Sequence, residues 1–197
     1  MKNKLRLLAK NNRSKINILN SQYCLTENHL NCCLDKILYN KKDIKTASLY
    51  YPINNEISPF GLIKYFKFNN FKLTLPVVKT QSKTLLFKEW DLKEKLKKGK
   101  LGNLEPYLNT HNILPQLIIV PMLMFDKNLN RLGYGGGYYD KSINELRKYF
   151  SSEKKDFITI GLAYSSQQTK SIPHEGHDEQ LDFIITEKQM LSKINLN

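Results

Sequence analysis

A cluster of glycines in the middle of the chain has the composition of a phosphate-binding turn. Four glycines fall within residues 133–137, and Arg131 precedes them. Glycine lets the backbone approach an anion closely and adopt positive φ. Residues 138–140 then open a segment with helical periodicity, so free N–H groups and the positive end of a helix dipole would face that anion. The apolar run before the cluster reads as a buried strand, and the whole stretch predicts a site for a phosphate group.

The glycine cluster fits neither of two common nucleotide-binding motifs. GYGGGY lacks the third glycine of the dinucleotide fingerprint, and no acidic residue follows at the end of a second strand. No Gly-Lys-Ser/Thr follows, which excludes a Walker loop. The alternative is a flexible turn with no ligand. Glycines in regular structure cost roughly 0.5–1 kcal/mol each, which argues against a turn that serves only as a connection.

Two further segments, one basic and one acidic, could contact a bound ligand. Lys2 and Arg6 are four residues apart on a predicted helix, so both could reach one phosphate. Glu56 follows the first predicted strand, and open α/β sheets bind ligands at that edge. For each position, local sequence alone favours the simpler interpretation, a solvated basic face for the helix and a solvated loop carboxylate for Glu56.

A late loop brings together His174, Glu175, His177 and Asp178. The His-x-x-His spacing lacks a second recognisable ligand group, so a zinc site is disfavoured. Asp178 beside a bound nucleotide is the better interpretation, since Mg²⁺ prefers hard oxygen ligands.

The elements that must position these residues follow from hydrophobic periodicity. Helices are predicted at residues 2–20, 26–39, 58–68 and 138–150. Strands are predicted at residues 46–51, 71–78, 84–90, 117–125, 157–164 and 181–186. Between them, 91–106 reads as a surface connection with a short helix, and 188–197 as a tail. We expect one α/β domain over residues 1–197, a three-layer α/β/α arrangement with a largely parallel central sheet.

Composition sets the class of protein. The chain has 197 residues, 41% of them hydrophobic and 25% charged, as in a globular protein. No apolar run approaches the roughly 20 residues of a membrane span, and no apolar segment follows the basic start, so we expect a cytoplasmic protein. Cys24, Cys32 and Cys33 are an odd number without a CxxC motif, which predicts buried free thiols. The net charge of +13 would attract anions, or reflects a general lysine bias.

The stretch VPMLMFDKNLNRLGYGGGYYD resembles the signature of 5-formyltetrahydrofolate cyclo-ligases, also called 5,10-methenyltetrahydrofolate synthetases. KNKLR, YYPINNE, LKKGKLGNLEP, IGLAYSSQ and IPHEGHDEQLD resemble other segments of that family, in the same order. Three positions depart from the pattern. Met122 and Leu129 stand where glycine is usual, and Tyr134 stands where arginine is common.

The resemblance implies an ATP- and Mg²⁺-dependent ligase that converts 5-formyltetrahydrofolate, with or without a polyglutamate tail, to 5,10-methenyltetrahydrofolate. The γ-phosphoryl group would activate the formyl oxygen, and N10 would then close the ring. The resemblance also implies a monomer without nucleic-acid or membrane partners.

The same resemblance assigns residues to roles. Arg131 and Tyr138 would act on the reacting groups, and Asp140 and Asp178 would hold Mg²⁺. Folate would contact Tyr51, Glu56, Tyr134, Gly135, Gly136, Gly137 and Tyr138. ATP would contact Lys2, Asn3, Lys4, Leu5, Arg6, Arg131, Leu132, Gly133, Tyr134, Gly135, Gly136, Gly137, Tyr138 and Tyr139.

Two other functions stay open at this point. The first is a nucleic-acid-binding module, suggested by the charge and the aromatic residues. It is disfavoured because those aromatics fall largely in predicted strands. The second is a different nucleotide- or sugar-phosphate-binding enzyme on a similar scaffold.

Overall fold

A computed structural model describes residues 1–16, 25–79, 81–107 and 109–193. The helices are α1 (Lys2–Ser14), α2 (Glu27–Leu38), α3 (Ile63–Phe68) and α4 (Tyr138–Ser152). The strands are β1 (Thr46–Ser48), β2 (Lys72–Lys79), β3 (Thr84–Glu89), β4 (Lys97–Lys98), β5 (Leu104–Glu105), β6 (Leu117–Pro121), β7 (Met124–Phe125), β8 (Arg131–Leu132), β9 (Ile158–Leu162), β10 (Phe183–Ile185) and β11 (Met190–Ser192). Short 3-10 helices lie at Pro59–Leu62 and Ser165–Gln167.

Seven strands form one sheet in the order β11-β10-β9-β6-β1-β2-β3. The four inner pairs are parallel, and only the two edge pairs, β10–β11 and β2–β3, are antiparallel. The largely parallel sheet is therefore confirmed. The parallel β1–β2 pair, joined through α3, also confirms the predicted strand–helix–strand unit.

Helices pack on both faces of this sheet, and the central strand β6 accordingly carries apolar residues on both sides. Leu117 and Ile119 pack into the cluster that includes α2 and α3. Ile118 and Val120 pack into the cluster of α4, with Ile143 among its members. Alternate residues of a strand point to opposite faces, so this division follows from the pleat. It confirms the predicted three-layer arrangement.

The helix boundaries follow from local capping. Thr26 accepts a hydrogen bond from the His29 backbone N–H and starts α2. Ser58 accepts one from the Phe60 N–H and starts the 3-10 turn that leads into α3, as predicted. The prediction of a first helix to residue 20 is too long, because α1 ends at Ser14 and residues 17–20 lie outside the described ranges.

The prediction of one strand over 117–125 is wrong. β6 ends at Pro121, which has no N–H for a ladder, and β7 leaves the sheet to pair with β8. Asp126 closes this hairpin, because one carboxylate oxygen accepts from the N–H groups of Asn128 and Asn130. Leu129 adopts φ 63° in that turn, where a glycine would be unstrained, but its side chain is buried.

Met122 is accommodated by a glycine on the neighbouring strand. A Cβ atom at Gly161 would lie 2.2 Å from the Met122 Cε, so only glycine there leaves room for this side chain. Met122 is buried in the cluster beneath α4. This departure from the family pattern is therefore absorbed by packing.

Three other predictions fail. Residues 91–106 hold the small hairpin β4–β5 rather than a helix. The predicted C-terminal tail contains β11, which pairs with β10, while residues 194–197 lie outside the described ranges. Cys33 is buried as predicted, whereas Cys32 is exposed, and Cys24 is outside the described ranges. None of the described helices is long and apolar enough to cross a membrane.

Candidate active site

The glycine-rich turn connects β8 to α4 with two residues that require positive φ. Gly135 has φ +99° and Gly137 has φ +69°. Gly137 is the N-cap of α4 and supplies no side-chain cap, so the first N–H groups of that helix remain available to a ligand. The turn predicted to hold phosphate thus adopts a conformation that favours glycine at these two positions.

The helix α1 lies across this turn. Arg6 Nε donates to the Gly133 carbonyl at 3.0 Å, and Arg6 Nη1 donates to Asn3 Oδ1 at 2.6 Å. A Cβ atom at Gly135 would lie 3.0 Å from the Arg6 Cζ, so the guanidinium rests against the turn. The predicted meeting of the N-terminal helix with the glycine cluster is present.

A cleft of about 640 Å³ opens between α1, the glycine-rich turn and the late loop. We call it the first cleft. It contains nearly all of the residues predicted to contact ATP or Mg²⁺. Its lining includes Lys2, Asn3, Arg6, Arg131, Leu132, Gly133, Tyr134, Gly135, Gly136, Gly137, Tyr138, Tyr139, Asp140 and Asp178.

Lys4 and Leu5 are the two predicted ATP contacts that do not line the first cleft. Lys4 is exposed on another side of α1. Leu5 packs against the small apolar cluster that holds Ala9 and Leu132. Consecutive residues of a helix point in different directions, so only some residues of a continuous run can face one cleft. The prediction named every residue from 2 to 6 and therefore included these two.

Ion pairs occupy the charged walls of the first cleft. Lys2 Nζ lies 2.7 Å from Asp178 Oδ2 and 3.1 Å from Glu175 Oε1. Burial lowers the pKa of Lys2, but its hydrogen bonds to both carboxylates outweigh this and raise that pKa overall. Burial alone would raise the pKa of Asp178. Its hydrogen bonds with Lys2 and with the Glu175 N–H outweigh that effect, so the pKa of Asp178 lies below its usual range. Both groups are therefore charged at neutral pH.

Arg131 and Asp140 form the second pair. Arg131 Nη2 lies 2.7 Å from Asp140 Oδ1, which also accepts the Glu179 N–H at 3.1 Å. The Arg131 Nε atom is buried without a hydrogen-bond partner within the described ranges. Both predicted Mg²⁺ ligands are thus paired with predicted ATP-contacting cations. Within the described part of the chain, no group of three His, Cys, Asp or Glu residues could hold a metal alone.

A second, smaller cleft of about 90 Å³ adjoins the first. We call it the second cleft. Tyr51 and Glu56, the two predicted folate contacts outside the glycine-rich segment, both line it. The residues that line both clefts, and so form the wall between them, are Leu85, Leu101, Pro121, Tyr134 and Tyr139. The rest of the second cleft is mostly apolar and is lined by Tyr50, Ile53, Pro76, Val78 and Asn103.

The glycines of the turn are distributed between the two clefts differently from the prediction. Gly135, Gly136, Gly137 and Tyr138 were assigned to both ligands, but they line the first cleft and not the second. Only Tyr134 of that segment lines both. Its ring is large enough to span the wall, whereas a glycine exposes its backbone to one side.

Glu56 is buried and held by hydrogen bonds, so its interpretation as a solvated loop carboxylate is wrong. Its Oε2 accepts the Ile53 N–H at 2.9 Å, and its Oε1 accepts the Tyr134 hydroxyl at 2.8 Å. Burial raises the pKa of Glu56, against the lowering effects of these hydrogen bonds and of Arg13. Burial also raises the pKa of Tyr134, so its hydroxyl remains a donor.

Arg13 is the residue of this region that sequence reasoning missed. Its guanidinium hydrogen-bonds the Tyr134 hydroxyl and lies 3.9 Å from Glu56 Oε1. A signal existed, because Lys2, Arg6 and Arg13 follow one another at spacings of four and seven on one helical face. That pattern cannot show which of the three cations is buried.

Comparisons with known proteins point to one family. A sequence model described as the 5-formyltetrahydrofolate cyclo-ligase family matches residues 28–187. The 5-formyltetrahydrofolate cyclo-ligase of Haemophilus influenzae is 35% identical over 149 residues, which cover 73% of this chain and 76% of that protein. The protein of the same name from Mycoplasma genitalium is 28% identical over 188 residues, which cover 93% and 96%.

Solved structures agree with the sequence matches. A 5,10-methenyltetrahydrofolate synthetase from Mycoplasma pneumoniae aligns with a TM-score of 0.69 and 26% identity, over 94% of this chain and 98% of that one. The synthetase of the same name from Aquifex aeolicus aligns with a TM-score of 0.71 and 26% identity, over 97% and 92%.

Proposed function

Since the chain belongs to the 5-formyltetrahydrofolate cyclo-ligase family and is a ligase, we propose that it converts 5-formyltetrahydrofolate to 5,10-methenyltetrahydrofolate with hydrolysis of ATP. The observation that carries this proposal is the pair of adjoining clefts. The first is lined by cations and by the glycine-rich turn, and the second by aromatic and apolar residues around Glu56. One suits a triphosphate and the other a flat heterocycle with N–H donors.

ATP would bind in the first cleft through charge and backbone. Lys2, Arg6 and Arg131 supply positive charge, and the turn at residues 133–137 supplies N–H donors. Phosphoryl transfer depends on positioning and on neutralising the charge of the transferred group. We infer that the nucleotide takes over from Asp178 and Asp140 as the partner of Lys2 and Arg131.

Asp140 and Asp178 fit Mg²⁺ that arrives with the nucleotide. Their side chains are 18% and 21% exposed in the first cleft, so an incoming ion can reach both. Mg²⁺ is usually held by one or two carboxylates together with phosphate oxygens and water. When bound, the ion would neutralise charge on the phosphates.

Folate would bind in the second cleft with its formyl group at the shared wall. Glu56 would accept hydrogen bonds from N–H groups of the pterin, and Tyr51 would pack against the ring. Burial of the Glu56 carboxylate makes those hydrogen bonds strong, because little water competes for it.

The reaction then proceeds in two steps without a covalent enzyme intermediate. The formyl oxygen attacks the γ-phosphorus, the bond from that phosphorus to the β–γ bridging oxygen breaks, and ADP leaves. N10 attacks the formyl carbon and loses its proton, the carbon–oxygen bond to the phosphoryl group breaks, and phosphate leaves. Arg131 would stabilise the charge of the transferred group, and Tyr138, at the start of α4, would position it.

A direct assay tests this function. The purified protein is incubated with ATP, Mg²⁺ and 5-formyltetrahydrofolate, and the absorbance of methenyltetrahydrofolate is followed. We expect absorbance to rise only when all three are present, with one ADP formed for each folate converted. Folded protein that gives no absorbance change would contradict the proposal. Tight, salt-sensitive RNA binding without turnover would instead favour the nucleic-acid-binding alternative.

A cytoplasmic location and a monomeric state remain part of the same proposal. They rest on the resemblance to the family and on the composition of the chain. A basic surface with a net charge of +13 suits polyanionic substrates such as ATP and folate, but it does not identify them.

A further inference from the structure

The C-terminal part of α1 carries an arginine that lines neither of the two clefts. Arg13 is only 3% exposed, and it is absent from the lining of both. Its Nη1 atom donates to the Met122 carbonyl at 3.4 Å, and its Nη2 atom donates to the Tyr134 hydroxyl. A buried guanidinium is unfavourable unless it is paired, so its placement depends on these partners.

The Tyr134 hydroxyl lies between Arg13 and Glu56. It donates to Glu56 Oε1 at 2.8 Å, while the nearest Arg13 nitrogen is 3.9 Å from that oxygen. That distance is too long for a hydrogen bond, so the arginine is linked to the carboxylate by hydrogen bonds through the tyrosine hydroxyl, in addition to the direct attraction of its charge. The other carboxylate oxygen is held by the Ile53 N–H. Glu56 therefore has one orientation in the second cleft.

One rigid helix connects this network to the first cleft. Arg6 and Arg13 are seven residues apart, two turns of α1, so they lie on the same face. Arg6 contacts the Gly133 carbonyl on the nucleotide side, and Arg13 stands behind the carboxylate on the folate side. Ala9, between them, is buried, which keeps this face of the helix close to the site.

We propose that Arg13 is a positioning residue for the folate substrate, acting through the Tyr134 hydroxyl to hold the Glu56 carboxylate ionised and correctly oriented. This inference rests on the proposed function and adds a residue that touches neither ligand. It also gives Tyr134 a role at a position where the family often has arginine. The cation is supplied by α1 instead of by the turn, and the tyrosine transmits its effect.

The experiment measures ligand binding rather than turnover. Dissociation constants for 5-formyltetrahydrofolate and for a nonhydrolysable ATP analogue are determined by calorimetry for the whole protein and its variants. Arg13→Met should weaken folate binding roughly 10- to 100-fold, the effect of one charge-assisted hydrogen bond. Binding of the ATP analogue should change by less than about threefold, because Arg13 lines no part of the first cleft. Arg13→Lys should recover part of the folate affinity.

Two further variants separate positioning from general damage. Tyr134→Phe retains the ring and removes only the hydroxyl, so it should weaken folate binding in the same direction even if Arg13→Met folds poorly. Lys10→Met is the matched control. Lys10 lies on the same helix and over the same tyrosine ring, 5.6 Å from its centroid, but it is exposed and hydrogen-bonds nothing in the network. It should leave both dissociation constants unchanged.

The outcomes distinguish this inference from the proposed function. Folate binding by Arg13→Met and Tyr134→Phe that equals the parent would overturn the inference while leaving the function standing. Equal weakening of both ligands would also overturn it, since that result indicates loss of structure. Failure of the parent protein to bind folate at all would overturn the proposed function and the inference together.

Discussion

The two clefts share a wall that includes Tyr134 and Tyr139, but their charges are balanced in different ways. In the first cleft, Lys2 pairs with Asp178, and both side chains remain partly exposed at the surface of the cleft. In the second cleft, the buried carboxylate of Glu56 is balanced by a cation outside the cleft and by hydrogen bonds.

This difference indicates different tasks. Partly exposed ion pairs are weak and can exchange partners, which suits a charged ligand that must enter with its metal and leave as products. A buried carboxylate with fixed hydrogen bonds cannot exchange partners cheaply. It suits the recognition of a neutral heterocycle by orientation. We expect four effects from this difference, from the largest to the smallest.

The largest effect is expected at the first cleft from Arg131→Met. In the proposed mechanism, loss of this guanidinium would leave the transferred phosphoryl group without a stabilising cation, and arginines in this role contribute on the order of 10³-fold or more to kcat. Steady-state turnover should fall accordingly, with little change in folate affinity. Lys148→Met, an exposed position farther along α4, removes the same charge and should retain full activity. Loss of less than about tenfold would place Arg131 outside the reaction centre.

A moderate effect is expected at the second cleft from Glu56→Gln. The amide keeps the shape but loses the charge, so KM for folate should rise roughly 10- to 100-fold while KM for ATP stays constant. An equal rise in both KM values would show that the clefts are not functionally separate.

The same carboxylate should set the acid limb of the pH profile. Burial raises the pKa of Glu56 above its usual range. The titratable groups that interact with this carboxylate are Arg13, Tyr50, Tyr134 and Tyr139. In the proposed complex the ionised form would accept the pterin hydrogen bonds, so kcat/KM for folate should fall as pH drops through that raised pKa. In Glu56→Gln this limb should disappear. A limb that persists would belong to another group.

The smallest effect is expected from Gly135→Ala in the glycine-rich turn. Its φ of +99° is unfavourable for alanine, and the new Cβ would meet Arg6 at 3.0 Å. Such strain costs on the order of 1–3 kcal/mol of unfolding free energy, measurable by denaturant titration. Gly176→Ala is the control, because its φ is ordinary and nothing lies within 4 Å of the added atom. Equal stability of the two variants would show that the turn relaxes freely.

Hydrophobic periodicity predicted the helices and strands that bury apolar residues along their whole length. The helices α2 and α4 and the inner strands carry continuous apolar patterns, and all of them start close to their predicted positions. The hairpins β4–β5 and β7–β8 have strands of two residues, which are too short to show any period. β11 follows a polar connection, and its pairing with β10 depends on a neighbour rather than on its own pattern.

The residues of the candidate site also differ in how far the sequence predicted them. Composition and resemblance predicted the glycine-rich turn together with Lys2, Arg6, Arg131 and Asp140, and all of them line the first cleft. The burial of Glu56 and the role of Arg13 were not predicted, because both arise from contacts between segments far apart in sequence. Arg13 and Tyr134 are separated by 121 residues in the sequence, and no local sequence pattern predicts a contact over that separation.

One measurement tests most directly the claim that the two clefts hold two ligands side by side. 5-Formyltetrahydrofolate is titrated calorimetrically into protein already saturated with Mg²⁺ and a nonhydrolysable ATP analogue. The geometry predicts one folate bound for each chain, with an affinity no weaker than in the absence of the nucleotide analogue. Displacement of the analogue by folate, or loss of folate binding when the analogue is present, would contradict the account.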